Sequence, residues 1–167
     1  EYASPKSVKD ATALLSEKWG ETEVLAGGTD LITSMKQLIT QPKRLVSLKE
    51  IKDLSDIDKS RGTLRIGSMA RLKDVADNRD VKNSFPSLAT AINNIASAQI
   101  LAMGTIGGDL CQRPRCWYYR NGFGLLGKDG NTSLVREGDN RYHAIFATEG
   151  DALFVNPSSL APARAPR

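Results

Sequence analysis

The feature that most constrains the fold of this chain is a glycine pair between a short strand and a helix start. Residues 23–26 have the composition of a strand, which Gly27 and Gly28 break. Apolar residues then recur at helical spacing behind a cap at Thr29 or Asp30. The backbone is therefore expected to change within a few residues from extended to helical.

The remaining sequence predicts further helices and strands. Two apolar runs flank the turn-forming residues Lys59–Gly62, which indicates a hairpin within a small mixed sheet. From Met103 to about Asn140, glycine and polar residues predict loops. The predicted helices cover 7–16 (capped by Ser7), 72–78 and 85–97, with a further start at Ser158 or Ser159, and the predicted strands cover 44–48, 54–57, 63–66, 142–147 and 152–155.

Composition excludes several classes of protein. The chain has 167 residues, 40% of them hydrophobic, which suffices for one domain or two small subdomains. Its net charge of +4 comes from 23 basic and 19 acidic residues that are scattered, so nucleic acid is not an expected partner. Two cysteines and the lack of any apolar run near membrane-spanning length favour a cytoplasmic setting without a membrane.

Two glycine segments carry the chemistry that we expect of a ligand site. The first, Leu25-Ala-Gly-Gly-Thr-Asp-Leu31, exposes successive backbone N–H groups next to a helix start, an arrangement that suits a pyrophosphate. The alternative is a tight strand-to-helix turn. The second, Thr105-Ile-Gly-Gly-Asp109, offers a hydroxyl and backbone donors, or else forms a bulge near a strand end. Together the two segments favour a dinucleotide gripped from two sides.

Three other motifs give weaker evidence of a functional site than the two glycine segments. Gly122-Phe-Gly-Leu-Leu-Gly127 spells a dinucleotide fingerprint but neither follows a predicted strand nor opens a helix, so we reject a Rossmann site. Cys111, Cys116 and the single histidine, His143, are too few for a closed metal site or a catalytic relay, and packed or surface thiols are expected. The basic aromatic run at residues 113–120 is either a partner surface or an aromatic anchor between solvated arginines.

Several motifs in this order resemble one flavoprotein family. They are Tyr2-x-x-Pro5, Ala26-Gly-Gly-Thr-Asp-Leu31, Leu64-Arg-Ile-Gly67, Ala96-Ser-x-Gln-Ile100, Gly104-Thr-Ile-Gly-Gly108 and Cys111-Gln-Arg-x-Arg-Cys-Trp-Tyr-Tyr-Arg120. The chain resembles, from Tyr2 to about Pro162, the FAD-binding medium subunit of molybdenum hydroxylases of the xanthine dehydrogenase and carbon monoxide dehydrogenase type.

The resemblance implies an α+β fold of the vanillyl-alcohol oxidase or PCMH type, with FAD extended between two subdomains. Residues 1–54 would form the first, βαβ-like subdomain, and residues 55–167 the second, incomplete at its C-terminus. Such a subunit passes electrons from iron–sulfur clusters through FAD to NAD+ or another acceptor. Molybdopterin lies on a large partner subunit and 2Fe-2S clusters on a small one, so the flavin subunit does not choose the oxidised substrate.

The resemblance also implies the cofactor site, carried over by position. One side of the FAD diphosphate would be wrapped by Leu25, Ala26, Gly27, Gly28, Thr29, Asp30, Leu31 and Ile32, and the other side by Thr105, Ile106, Gly107, Gly108 and Asp109. Ile95 falls where the family packs an apolar residue near the adenine. Ser159 stands where the family usually has a carboxylate that holds the ribose.

Departures from the family pattern lead to a competing interpretation. Asp109 replaces the usual asparagine and would place a negative charge beside the diphosphate, which is expected to weaken binding. The further cysteines with which some relatives hold a 4Fe-4S cluster are absent. Family members are about twice as long, a difference of roughly one ordinary domain. The alternative is therefore a truncated, non-catalytic fragment that keeps the fold and subunit contacts without flavin.

Overall fold

The computed structural model describes residues 1–95, 97–146 and 148–164. Ala96 of the Ala96-to-Ile100 motif, Ala147 of a predicted strand and residues 165–167 lie outside the described residues. The chain forms two compact units: Glu1–Cys111 together with the segment from Ser158 onward, and Gln112–Pro157. The division into FAD-binding subdomains at residues 54 and 55 stays a prediction.

A three-stranded parallel sheet organises the start of the first unit. Its strands are β1 (Tyr2–Ala3), β2 (Thr22–Leu25) and β3 (Arg44–Ser47), and β3 lies in the centre. Parallel strands require crossover connections, and here α2 (Leu31–Lys36) joins the neighbours β2 and β3. Helix α1 (Val8–Ala13) joins β1 to β2, which lie on opposite sides of β3. Ala11, Val46 and Ile51 form the buried cluster of this region. The predicted alternation of helices and strands in the first fifty residues is confirmed.

Local sequence signals explain the starts of these helices. Ser7 caps α1, since its Oγ accepts a hydrogen bond from the Asp10 N–H at 3.1 Å, as the sequence predicts. Helix α2 begins at Leu31 with Asp30 in the predicted cap position, but the Asp30 side chain makes no capping hydrogen bond. The glycine pair therefore separates β2 from α2 where the sequence places it.

The predicted hairpin is present, but its first strand lies three residues later than expected. Strands β4 (Ile57–Ser60) and β5 (Thr63–Ile66) pair antiparallel around a turn at Arg61 and Gly62, whose φ values are 47° and 81°. Two positive φ angles match the twist of a two-residue hairpin turn. Lys52–Ser55 forms a 3₁₀ turn instead of a strand. The expected mixed sheet is wrong, because the hairpin and the parallel sheet are separate sheets.

Among its described residues, the first unit contains five further α-helices. They are α3 (Leu72–Asp77), α4 (Arg79–Ser84), α5 (Pro86–Asn93), α6 (Ala98–Met103) and α7 (Ile106–Leu110). Their larger buried cluster is centred on Leu72, Val75, Val81 and Ile92, and Leu160 joins it from the end of the chain. Helix α5 begins with Pro86 in the first turn, as predicted, but ends at Asn93 and not at residue 97.

The predicted loop between residues 103 and 140 contains regular structure. Besides α7 it includes α8 (Trp117–Arg120), β6 (Lys128–Asp129), β7 (Thr132–Ser133) and α9 (Leu134–Glu137). Conversely, the strands predicted over 142–147 and 152–155 are wrong for the residues that the structure describes. A backbone hydrogen bond joins Ala144 N to Leu153 O at 2.8 Å, but the two runs form no ladder there. A 3₁₀ turn, Pro162–Arg164, follows the predicted helix start at Ser158 or Ser159.

Candidate functional site

The two glycine segments meet in the first unit through Gly27. A Cβ atom built on Gly27 would lie 2.1 Å from the carbonyl oxygen of Met103 and 3.1 Å from the Cα of Gly104. Carbon atoms do not approach a carbonyl oxygen so closely, so no other residue fits there without backbone movement. The turn after β2 is therefore packed directly against the backbone that leads into the second segment.

The first glycine segment has backbone donors that bond to no described residue of the chain. Leu25 is anchored at the end of β2, where its carbonyl accepts a hydrogen bond from Leu48 N at 3.0 Å. Among the described residues, the backbone hydrogen bonds of turns and loops include none donated by Gly27, Gly28 or Thr29. Such N–H groups must bind water or a ligand. Three successive donors of this kind form a concave surface suited to an anion.

Gly28 is required by its backbone conformation. Its φ of 78° lies in the left-handed region, and its carbonyl accepts a hydrogen bond from Ile32 N at 3.0 Å to begin α2. A Cβ at Gly28 would lie 2.7 Å from the end of the Ile32 side chain. The positive φ turns the chain from β2 into α2, which leaves Ala26, Thr29, Asp30 and Leu31 around this turn.

The second glycine segment corrects the expectation of exposed backbone donors. Ile106 N donates to Ala70 O at 3.0 Å and Gly107 N to Ser68 O at 2.8 Å. Gly108 N donates to the hydroxyl of Thr105 at 3.1 Å, so Thr105 caps α7. The segment is thus neither an open loop nor a strand bulge. The N–H groups of residues 106–109 are thus occupied within the fold, and the binding role of the segment stays a prediction.

Asp109 is buried and hydrogen-bonded within the protein, whereas Ser159 is exposed. Asp109 is only 9% exposed, and its carboxylate accepts hydrogen bonds from Ser158 Oγ at 2.5 Å and Leu160 N at 3.4 Å. Ser158 is buried, whereas the neighbouring Ser159 is exposed. The serine that bonds to Asp109 is therefore Ser158, the residue before the one that the resemblance selects, and the ribose role of Ser159 stays a prediction.

Apolar side chains lie beside the glycine segments. Ile32 is in contact range of Gly28, and Met103 presents its carbonyl to Gly27. Three large apolar side chains in this region are more than one-third exposed: Ile32, Met103 and Ile100, which lies one turn before Met103. Ile95, the residue expected near the adenine, is partly buried and packs against the larger buried cluster. Exposed apolar groups near unused donors are typical of a ligand site.

A pair of residues in the second unit was missed by the sequence interpretation. The Sγ of Cys116 lies 3.1 Å from Nε2 of His143, and both residues are buried. The imidazole packs edge-on against Trp117, with ring centroids 5.4 Å apart. Cys111 is exposed. The expectation of packed or surface thiols agrees with these positions. The contact between Cys116 and His143 joins residues 27 positions apart, so only the folded chain shows it.

The G-x-G-x-x-G run occupies a context that a dinucleotide fingerprint does not have. Gly122, Gly124 and Gly127 all have positive φ angles and lie between α8 and β6, thus between a helix and a strand. The fingerprint requires the opposite order.

Within the described part of the chain, no helix has both the length and the hydropathy needed to cross a bilayer.

Comparison with known proteins places these features in a family. Residues 1–116 match the family model of the FAD binding domain in molybdopterin dehydrogenase. The carbon monoxide dehydrogenase medium chain of Hydrogenophaga pseudoflava is 38% identical over 110 residues, or 66% of this chain and 38% of the relative. The nicotine 6-hydroxylase medium subunit of Paenarthrobacter nicotinovorans is 32% identical over 156 residues, or 93% of this chain and 52% of the relative.

Solved structures show the same similarity. Carbon monoxide dehydrogenase from Hydrogenophaga pseudoflava superposes with a TM-score of 0.62 at 38% identity, covering 65% of this chain and 38% of that one. Quinoline 2-oxidoreductase from Pseudomonas putida 86 gives a TM-score of 0.63 at 25% identity, covering 68% and 39%. The chain spans between about two-fifths and half of the length of these relatives. The predicted α+β flavoprotein fold is confirmed, and the chain belongs to the family of FAD binding domains in molybdopterin dehydrogenases.

Proposed function

We propose that this chain binds FAD as part of the flavoprotein subunit of a molybdenum hydroxylase. The observation that carries the proposal is the row of backbone N–H groups at Gly27, Gly28 and Thr29, which donate to no described residue of the chain. Gly27 packs directly against the Met103 backbone. A diphosphate is the part of FAD that such donors would recognise. Family membership supports the same ligand.

The proposed site extends from these donors to neighbouring apolar surface. It comprises Leu25–Ile32, Ile95, Thr105–Asp109 and Ser159, of which the first range supplies the backbone donors. Ile32, Ile100 and Met103 offer exposed apolar surface for a flat ring beside the diphosphate. The residues therefore bind and orient the cofactor, which supplies a redox centre when bound.

The role of the whole protein belongs to the same proposal. Electrons would arrive from 2Fe-2S clusters on a small partner subunit, and molybdopterin would lie on a large one. From the flavin they would pass to NAD+ or another acceptor, in a cytoplasmic setting. Relatives named as medium chains or subunits of dehydrogenases and hydroxylases support this organisation.

Titration with FAD tests the proposal directly. We expect the purified chain to quench flavin fluorescence saturably and to retain the visible flavin bands after gel filtration. A chain that retains its secondary structure but shows neither effect would contradict the proposed function.

Two matched glycine variants connect binding to the site. Gly28 and Gly62 have φ angles of 78° and 81°, so alanine at either position costs about 1–2 kcal/mol of backbone strain. Gly62 lies in the β4–β5 turn with nothing near its Cβ direction. We expect Gly28→Ala to weaken FAD binding by at least about tenfold, on the scale of that strain, and Gly62→Ala to destabilise the fold without affecting the cofactor. If Gly28→Ala and Gly62→Ala bind FAD with equal affinity, the cofactor does not bind at the first glycine segment.

One observation favours the alternative of a fragment without flavin. The donors of Ile106, Gly107 and Gly108 are already occupied, so the second segment offers fewer contacts than expected. The same titration separates the two hypotheses, because a fragment of this kind keeps the fold and leaves the flavin spectrum unchanged.

A further inference from the structure

The buried carboxylate of Asp109 joins two distant parts of the first unit. Its Oδ1 accepts hydrogen bonds from Ser158 Oγ at 2.5 Å and Leu160 N at 3.4 Å. Ser158 Oγ in turn accepts from Leu160 N and Ala161 N, each at 3.1 Å. A carboxylate is tolerated in such a position only when hydrogen-bonded partners replace water. This network therefore occupies the Asp109 carboxylate with protein donors.

The location of the network gives it a role beyond packing. Asp109 ends the second glycine segment, two residues before the chain leaves the first unit after Cys111. Ser158 is the residue at which the chain returns to that unit. Leu160 is fully buried in the larger cluster. The returning segment is therefore held by a hydrogen bond at Ser158 and by apolar packing at Leu160. The hydrogen bonds thus join, within the first unit, the residues at which the chain leaves that unit and returns to it.

We propose that Asp109 is a positioning residue that holds the second glycine segment in place through Ser158 and Leu160. The inference rests on the proposed function. Because its carboxylate already accepts hydrogen bonds from Ser158 and Leu160, we expect this network, and not the cofactor diphosphate, to face the Asp109 charge. Asp109 supports FAD binding because it fixes the end of α7. Helix α7 in turn holds the backbone at Gly104, against which Gly27 packs.

Three single variants distinguish positioning from charge repulsion. Asp109→Ala removes the acceptor, Asp109→Asn keeps an acceptor oxygen without the charge, and Ser158→Ala removes the hydroxyl. We expect Asp109→Ala and Ser158→Ala each to unfold at lower urea concentration and to weaken FAD binding by about threefold or more. Asp109→Asn should restore most of the affinity lost in Asp109→Ala, with an unchanged dependence of Kd on salt. In the double variant Asp109→Ala/Ser158→Ala the losses should not add, because both changes remove one network.

The opposite result has a distinct signature. If the Asp109 charge faces the diphosphate, Asp109→Ala and Asp109→Asn both tighten FAD binding and flatten its salt dependence. Two unit charges about 5 Å apart change Kd by about fourfold even in a water-like dielectric. That result, or a Ser158→Ala variant with unaltered stability and affinity, would overturn the proposal. If Asp109→Ala does not fold, Asp109→Asn and Ser158→Ala decide the question.

Failure of the proposed function is recognised separately. A folded wild-type chain that binds no FAD contradicts the proposed function and with it the ligand part of this inference. Urea unfolding still tests the network in that case. If the stability losses of Asp109→Ala and Ser158→Ala add up in the double variant, the two side chains do not act together.

Discussion

The carbonyl oxygen of Met103 lies 2.1 Å from the point where a side chain on Gly27 would begin. This contact joins the turn after β2 to the backbone entering the second glycine segment. Gly27 has no positive φ angle, so the lack of a side chain and not backbone freedom explains its presence. The close approach brings both glycine motifs into one site.

Gly27→Ala should therefore damage both the fold and the site. Overpacking of this kind typically costs about 1–3 kcal/mol, and relief requires movement of the backbone at Met103 or Gly27. Urea unfolding measures the stability loss, and FAD titration measures the loss of affinity. Gly150→Ala is the control, because Gly150 has no positive φ and nothing within 4 Å of its Cβ direction. A Gly27→Ala variant as stable as the control would contradict the close contact.

The two thiols should differ in reactivity. Cys111 is exposed, whereas Cys116 is 8% exposed and in contact with His143. A thiol reagent such as Ellman's reagent should modify one thiol rapidly in the native protein and both after unfolding. Cys111→Ser should abolish the rapid phase, while His143→Ala should accelerate the slow one because it opens the packing over Cys116. A rapid phase that survives in Cys111→Ser would show that Cys116 is accessible.

Glu21 should contribute stability that depends on pH. A hydrogen bond from Lys43 at 2.8 Å, supported by one from Ser16, lowers the pKa of the Glu21 carboxyl below 4.5. A carboxyl with a lowered folded pKa stabilises the fold above its unfolded pKa, and the effect disappears as the pH falls through the folded value. Glu21→Gln should thus unfold at lower urea concentration than wild type at about pH 7, and the difference should vanish at about pH 2. A difference that persists in acid would exclude the charge as its cause.

Local sequence signals predicted several elements well. The Ser7 cap, Pro86 in the first turn of α5 and the glycine break between β2 and α2 act over three or four residues, so their partners are visible in the sequence. The errors have a similar explanation. The apolar runs after Tyr142 resemble strands, but Leu153 is buried in a small cluster with Cys116 and does not pair in a ladder. Thr105 caps a helix in what reads as a glycine-rich loop.

The sequence by itself determined the family, the α+β class and the two glycine segments, because these depend on short motifs and their order. Only the tertiary structure decided how the segments are used. It packed Gly27 on Met103, occupied the donors of the second segment, and joined Asp109 to Ser158 and Cys116 to His143 across 49 and 27 positions. Contacts of such separation depend on the path of the whole chain and the burial that it produces. No local residue pattern encodes that path.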